Sequence, residues 1–484
     1  MLPFVVRGRS RRASKGTGVR SWGCSEAGDR LWPGLARCLC CCLLLGLAAG
    51  VHAGPLAELL ERARADDPTY RAAQLQAEGA AEALAQARAL WLPGVSVSTS
   101  VGANRQDVRK SPGQGLYRTG QVDYDAREYG LVLSQALLNA GHSVAGEQAQ
   151  ARIQQVESEL KAQQQDLLYR VAERYLLAVA SFEACRAIQS EVDALSRHLG
   201  EIRRRREAGV VRRLDQLEAE SRLGESEARR VEAEIRYADA LRALFEVSGF
   251  QPARLGLLDE RQELLRPEPA DPAYWTALAA TDNPLTQARR HALVVAELEV
   301  ARQDSVRSPT LDLALRSGRT YASDSLYGGA SDVANHEIRL NLNVPLYDGG
   351  ASASRAREAA KAAERAAEEL RAQQRSVERA VLATLDRIRG AGARVTALTQ
   401  SESLMAQGLA AKRTALANGL ATVLAVIDAE RDLASVRGEL ARARYDSLLG
   451  WLGLRRAAGV LAESDLQSVD AMLEREIPVV FPGQ

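Results

Sequence analysis

Two kinds of hydrophobic pattern alternate along the 484-residue chain. Short segments alternate apolar and polar residues, as in Val95–Val101, which reads Val-Ser-Val-Ser-Thr-Ser-Val. This period predicts strands with one apolar face, whereas apolar residues at every third or fourth position predict amphipathic helices. The strands are expected at about 94–102, 128–138, 310–317 and 336–345, and the long helices at 143–207, 214–247, 351–417 and 421–452.

Shorter helical patterns precede each pair of strands. One covers 56–90 and ends before Pro93, and the other covers 274–306 and ends before Pro309. Proline is expected there because it cannot continue a helix from the preceding residues. Polar stretches with Gly, Asn and Ser between the paired strands predict loops, at 102–123 and 317–335.

The second half of the chain repeats the first. Leu131–Ser143 recurs as Leu340–Ser352, a shift of 340 − 131 = 209 residues. Gly209–Leu223 recurs as Gly419–Leu433, a shift of 419 − 209 = 210 residues. We interpret this as a tandem duplication of a unit far longer than the repeats of solenoids. The first repeat is placed at 54–269, the second at 270–452, and a C-terminal extension at 453–484.

The long helices have the character of coiled coils. At 1.5 Å per residue, each helix before a turn spans roughly 100 Å. Apolar residues in the first follow a heptad spacing, at Ile188, Val192, Leu195, Leu199 and Ile202, which predicts supercoiled packing against neighbouring helices. Aromatic residues make up only 5% of the chain, which suits thin helical layers rather than several compact domains.

Residues 1–53 differ from the rest and are interpreted as a secretory signal peptide. They hold eight Lys and Arg against two acidic residues, and an apolar run follows Arg37. The run ends in Val51-His52-Ala53, a small-residue cleavage pattern, so cleavage is expected after Ala53. A membrane anchor is disfavoured because the run is shorter than the ~20 residues that a helix needs to span a bilayer.

Removing this segment changes the charge and the cysteine content. The remaining chain has 63 − 8 = 55 basic and 62 − 2 = 60 acidic residues, a net charge of −5 that does not favour nucleic-acid binding. Cys185 alone remains, and is expected to stay reduced. The histidines show no metal-ligand spacing and no catalytic set stands out, so the sequence predicts neither a cofactor, a metal site nor an enzyme.

Four strands per chain cannot close a membrane barrel, because the smallest such barrels have eight. Each predicted strand nevertheless approaches the 9–11 residues that cross a bilayer when tilted, and pairs an apolar face with a polar one. A small soluble sheet packed on the helices would show the same alternation. Oligomerisation resolves the difficulty, since several chains can contribute hairpins to one barrel without open edges in lipid.

The chain resembles the TolC family of bacterial outer-membrane efflux and secretion channels. The resemblance covers nearly all of the chain after residue 53 and rests on segments in a fixed order: Pro345–Gly350, Asn418–Leu420, Val426–Glu430, Glu439–Tyr445 and Ala458–Leu466. It implies a mainly α protein with membrane β: a homotrimer with a twelve-stranded barrel in the outer membrane, continued by a helical tunnel through the periplasm. The extension at 453–484 would belong to a belt around that tunnel.

The resemblance also implies partners and a function. The partners are outer-membrane lipid, a periplasmic adaptor, and an inner-membrane ABC exporter or proton-driven pump. The chain is most similar to members serving type I protein secretion, such as export of adenylate cyclase–haemolysin. Multidrug efflux is the alternative within transport, and a periplasmic coiled-coil scaffold is the alternative of another class.

Asp428, next to Leu424, is the leading functional candidate, because one Asp per chain gives a ring of three carboxylates in a threefold tunnel. Such rings attract cations and shape selectivity. In the family an acidic pair lines the constricted periplasmic end; here Ala425 occupies the first of the two positions. A solvated helix face is the alternative interpretation of Asp428.

The turns between the long helices form the second candidate site. Asp215 lies among basic residues that include Arg212 and Arg213, and these charges could hold the tunnel closed or simply form a solvated helix face. The resemblance implies that the turns dock the adaptor, through Gly209 with Val210 and Gly419 with Leu420. Glycine at such positions also has a local role, because it ends helices in the left-handed conformation.

Overall fold

Two pairs of long helices and one four-stranded sheet make up most of the chain. The computed structural model describes residues 54–108, 120–259, 262–325, 329–473 and 475–479. The signal peptide expected at 1–53 lies outside the described residues. The prediction of a mostly helical chain is confirmed.

The elements follow one another in a regular order. They are α1 (Pro55–Asp66), α2 (Pro68–Ala89), β1 (Gly94–Val108), β2 (Gly120–Leu138), α3 (Ala140–Glu207), α4 (Arg213–Ser248), β3 (Arg254–Leu257), α5 (Pro272–Asp282), α6 (Pro284–Ser305), β4 (Thr310–Ala322), β5 (Ser331–Asn343), α7 (Ala351–Ala417), α8 (Val423–Ala458), α9 (Glu463–Asp470) and β6 (Arg475–Pro478). No helix among the described residues combines the length and apolar character needed to cross a membrane.

The long strands form an antiparallel sheet in the order β1-β2-β4-β5. Its register aligns Val95 with Leu133, Leu133 with Leu315, and Leu315 with Ile338. Directly opposed residues of an antiparallel pair lie on the same face of the sheet, so this row of four side chains is apolar throughout. The sequence alternation therefore gives a mainly apolar face, although Ser317 and His336 lie on it as well. Its outer positions Val95 and Ile338 are 63% and 78% exposed in the single chain.

The strands are longer than the sequence pattern predicted. β1 continues to Val108 and β2 begins at Gly120, so 102–108 and 120–123 of the loop expected at 102–123 are strand. β4 and β5 likewise extend into the stretch expected as a loop at 317–335. The prediction was wrong because Gly, Asn and Asp in these outer ends are typical of loops, and because the apolar residues Val122 and Tyr124 lie on the face opposite that of Leu131. The alternation changes phase there, while the backbone ladder continues. Ion pairs such as Arg105–Asp123, at 2.6 Å, bridge them instead.

Each expected helix before a strand pair is in fact two helices. The break falls at Asp67-Pro68 in one case and at Asn283-Pro284 in the other. Proline occupies the first turn of the second helix, where its missing N–H is not needed. The Asp67 carboxylate accepts a hydrogen bond from Tyr70 N at 2.6 Å, so it caps α2. Asn283 caps α6 through Thr286 N at 3.1 Å.

The main hydrophobic core forms a belt around the middle of α3. Leucines from α1, α3, α4 and α8 meet there, including Leu56, Leu59, Leu176, Leu244 and Leu448, all fully buried. Two buried tyrosines of this core contact the small sheet of β3 and β6. Tyr175 accepts a hydrogen bond from Gly256 N at 2.7 Å, and Tyr445 accepts one from Leu258 N at 3.3 Å. Burial raises the pKa of both phenols, so they remain neutral.

The C-terminal segment completes this belt. α8 runs to Ala458, beyond the end expected at 452, and stops where Gly459 adopts a φ of +83°. The carboxylate of Asp470, at the end of α9, accepts hydrogen bonds from Leu56 N and Ala57 N at 3.3 and 3.4 Å. Asp470 thus caps the first turn of α1, which has no side-chain cap of its own.

Candidate site at the two helical turns

Both long helical hairpins reverse direction at a glycine. Gly209 lies between α3 and α4 with a φ of +74°, and Gly419 lies between α7 and α8 with a φ of +73°. Val210 N bonds to Arg205 O, and Leu420 N bonds to Ala415 O, which closes the last turn of each first helix. Only glycine adopts this left-handed conformation without strain, so the sequence places both turns for a local reason.

The two turns lie at the same end of the molecule. Near the first turn, Leu199, Ile202 and Ala219 form a small buried cluster. Val423, which follows the second turn, packs against that cluster. The structure therefore brings together the two turns that the sequence predicts as separate docking points.

Each turn presents an apolar side chain to solvent. Val210 is 74% exposed and Leu420 is 83% exposed. Leu214 and Leu217, just after the first turn, are more than half exposed as well. Large apolar residues grouped on an exposed tip are typical of a protein–protein contact.

Asp428 is paired with a residue that the sequence did not single out. Its Oδ1 lies 2.8 Å from Nη1 of Arg222 on α4, and each side chain is about one third exposed. The carboxylate oxygen is otherwise without a hydrogen-bond partner in the described residues. Asp428 is therefore not an isolated carboxylate: it links the second hairpin to the first. Nearby Leu424 is half-buried.

A second link, also missed from the sequence, lies beside the first. Glu430 on α8 has a side chain only 11% exposed and accepts from Arg413 on α7 at 2.6 Å. Its other oxygen lies 3.1 Å from Nε2 of His198 on α3. The contact with His198 joins residues 232 positions apart, for which the local sequence gives no signal.

The charges of the first turn pair within their own hairpin. Arg212 contacts Asp215 at 3.1 Å, and Arg203 contacts Glu220 at 2.9 Å. Hydrogen bonds from Gln216 and Arg203 lower the pKa of Glu220. Arg213 makes no ion pair with any residue that the structure describes. The predicted charge network at Asp215 is thus local, and the links between hairpins come from Arg222 and His198.

Metal chemistry finds no support in the described ranges. They contain no group of three or more His, Cys, Asp or Glu side chains placed to hold an ion. Cys185 is partly buried, which raises the pKa of its thiol.

Comparison with known proteins places this architecture in context. The sequence model of the family described as "Outer membrane efflux protein" matches residues 59–249 and 275–460. The chain is 27% identical over 430 residues to outer membrane protein TolC of Vibrio cholerae, covering 88% of this chain and 96% of that protein. It is 28% identical to alkaline protease secretion protein AprF of Pseudomonas aeruginosa, with 88% and 87% covered. The CmeC outer membrane channel of Campylobacter jejuni has a similar fold, with a TM-score of 0.72 at 13% identity over 87% of this chain and 89% of that one.

Proposed function

The chain belongs to the outer membrane efflux protein family and is an export channel of the outer membrane, and we propose that three copies of it form one conduit for secreted protein. The observation that carries the proposal is the sheet. Its four strands expose a mainly apolar face, and β1 and β5 each have one strand neighbour in the described chain. Open edges are not tolerated in lipid, so copies must share strands to close a barrel.

Three copies supply twelve strands, enough for a closed barrel. The apolar face would contact lipid, and the opposite face, which carries Ser96, Ser98 and Asn341, would line the lumen. A soluble coiled-coil scaffold would have no reason to leave Val97 80% exposed and Ile338 78% exposed. We also propose that the two halves arose by duplication, which is supported by the matching Asp67-Pro68 and Asn283-Pro284 breaks.

Protein is the proposed cargo, in the manner of type I secretion, because AprF is a protease secretion protein that aligns along most of this chain. Drug efflux is the second candidate, favoured by the family's description as outer membrane efflux proteins. In either case a periplasmic adaptor would connect the channel to an inner-membrane ABC exporter or proton-driven pump. We propose Val210 and Leu420 as the adaptor contacts because both protrude at the shared tip.

The adaptor contact is tested with Val210→Asp and Leu420→Asp. A charge at either tip should abolish export in cells and cross-linking to the adaptor, while the conductance of purified trimers in planar bilayers stays unchanged. Leu75→Asp is the matched control, since Leu75 on α2 is 52% exposed but lies far along the chain from both turns. Normal export by both tip variants would remove the proposed contact.

We propose that Arg222 and Asp428 hold the tip closed, and that three Asp428 side chains form its cation-binding ring. A partly exposed ion pair contributes up to about 1 kcal/mol. Three together contribute up to about 3 kcal/mol, or roughly a hundredfold in the closed-to-open ratio at 1.36 kcal/mol per factor of ten.

The two roles of Asp428 give different results in single-channel recordings. Arg222→Gln should raise the open probability without reducing cation selectivity. Asp428→Asn should raise the open probability and also weaken cation selectivity and divalent block. Glu364→Gln, which removes the exposed Lys361–Glu364 pair at 2.8 Å, is the control and should change neither. If Asp428→Asn behaves like the control, Asp428 belongs to an ordinary solvated helix face.

A further inference from the structure

The sheet ends on both sides in a strand that has one neighbour in the described chain. These are β1 and β5. If the shared barrel proposed above is correct, β5 of one copy meets β1 of the next, and the register between them is set by physical constraints.

The first constraint is which residues share a face. Val95 and Val97 lie on the same face as Leu133 and Leu131, their partners on β2. Continuing through β4, this face carries even-numbered residues of β5, such as Ile338. Odd-numbered residues of β1 must therefore oppose even-numbered residues of β5, because a one-residue slip would turn one of the strands over.

The second constraint is the tilt of the strands. A line across the sheet at right angles to the strands passes from Thr99 through Tyr129 and Arg319 to Ala334. If Ala334 then meets Arg105 of the next copy, each copy advances the line by 105 − 99 = 6 residues. Three copies advance it by about 18 residues, which at ~3.3 Å per residue and ~4.8 Å between strands tilts twelve strands by about 46°.

Neighbouring registers can be judged in the same way. Meeting Ala103 gives a tilt of about 35°, and meeting Asp107 gives about 54°. Membrane barrels have tilts of about 35–45°. The tilt therefore disfavours the Asp107 register and leaves those at Arg105 and Ala103.

The third constraint is side-chain matching along the seam. The Arg105 register opposes Val95 to Val344, Val97 to Leu342, and Val101 to Ile338, with Thr99 opposite Leu340 between them. The Ala103 register instead opposes Val101 to His336 and shifts Val344 away from Val95. Between Val95 and Val101 the Arg105 register forms three apolar pairs and the Ala103 register forms two. Since apolar cross-strand pairs are favourable, the Arg105 register is preferred.

The same register explains an exposed apolar pair beyond the strand ends. Leu346 and Tyr347 follow β5 and are 91% and 88% exposed, and Leu92 precedes β1 and is 63% exposed. Continuing the pairing by one residue at a time brings Tyr347 opposite Leu92 of the next copy. Side chains that project without cover from one copy would thus cover each other at the base of the barrel.

We propose that β5 of one copy pairs antiparallel with β1 of the next so that Leu342 opposes Val97, and that Tyr347 packs on Leu92 across the same seam. The partner is a second copy of this chain. The surface it fits is the outer edge of β1 together with the Trp91–Pro93 segment that leads into it.

Cysteine cross-linking tests the register. In full-length protein carrying Cys185→Ser, Val97→Cys is combined in turn with Leu342→Cys, Leu340→Cys or Val344→Cys. Outer membranes are oxidised with copper phenanthroline and separated on non-reducing denaturing gels. Cysteines cross-link when their Cβ atoms lie about 3.5–4.5 Å apart, so the pair with Leu342→Cys should link copies at least tenfold faster than the other two.

Two controls separate failure of the register from failure of the barrel. Val97→Cys with Leu131→Cys, which oppose each other within one copy, reports that the oxidant reaches this face. Each variant kept reduced must migrate as an unboiled trimer, which shows that it has assembled. Faster linking through Leu340→Cys or Val344→Cys overturns the register but leaves the shared barrel. If the within-copy pair forms and no pair links copies, the shared barrel itself is wrong.

Discussion

The two longest helices are almost equal in length, yet the rest of the chain buries them to very different extents. α3 has 68 residues and α7 has 67. α3 packs against α2, α4, α6 and α8 and buries large side chains almost continuously from Leu167 to Val179. α7 packs mainly against α6 and α8, and its buried side chains are sparse, with a gap between Ile388 and Leu409. The first helix therefore organises the single chain, whereas α7 leaves more of its surface uncovered.

Removing a leucine from each helix should give the largest contrast. Leu176→Ala on α3 removes a fully buried side chain and should lower the free energy of unfolding by about 2–5 kcal/mol. Leu382→Ala on α7, where the leucine is 40% exposed, should cost well under half as much in the isolated chain. Urea unfolding followed by circular dichroism measures both, and equal losses would contradict the comparison.

Replacing an acidic residue should likewise lower the free energy of unfolding more on α3 than on α7. Glu191 on α3 is 3% exposed and accepts from Arg229 at 2.7 Å and Ser226 at 2.8 Å. Glu402 on α7 is 26% exposed and pairs with Arg437 at 2.8 Å. Glu191→Gln weakens the hydrogen bonds of Ser226 and of Arg229, which is 35% exposed, at a buried position, and should cost about 1–3 kcal/mol, whereas Glu402→Gln should cost less than about 1 kcal/mol. If Glu402→Gln lowers the free energy of unfolding more in the same urea titration, α7 and not α3 is the helix that organises the single chain.

Two glycines of the second hairpin should respond in opposite ways to alanine. Gly419 has a φ of +73°, so Gly419→Ala should destabilise the turn by about 1 kcal/mol. Gly408 lies inside α7 with open space around it, so Gly408→Ala should stabilise the chain by up to about 1 kcal/mol through helix propensity. Thermal denaturation detects both signs. A loss at Gly408 would mean that another copy approaches the helix closely at this point.

The sequence predicts an element well where its signal is local. The bounds of α7 follow from Gly350 before it and from Asn418-Gly419 after it, and both signals lie within a residue or two of the helix ends. Gly459 is an equally local signal for the end of α8, but the sequence prediction ended that helix at 452 and missed it. Helix ends can therefore be predicted from one sequence where glycine or a capping residue marks them.

The remaining features depend on surroundings that a local pattern does not contain. In the outer end of β2 the apolar residues Val122 and Tyr124 lie on the face opposite that of Leu131, so the alternation changes phase and gives no sign that one strand continues. By contrast, the helix start at Asp67-Pro68 was a local signal that the sequence prediction missed, because Pro cannot continue a helix and Asp caps one. The partners of Asp428 and Glu430 at the tip come from the other hairpin, and only the folded chain brings Arg222 and His198 beside them.

The cap on α1 has a consequence for the order in which the chain folds. α1 is the first described helix, yet the carboxylate that satisfies its first N–H groups belongs to Asp470, 414 residues after Leu56. A helix cap contributes roughly 1 kcal/mol, and short helices are marginal without such help. α1 therefore lacks this cap until α9 has been synthesised, translocated and folded. The belt is complete only when the whole chain has folded.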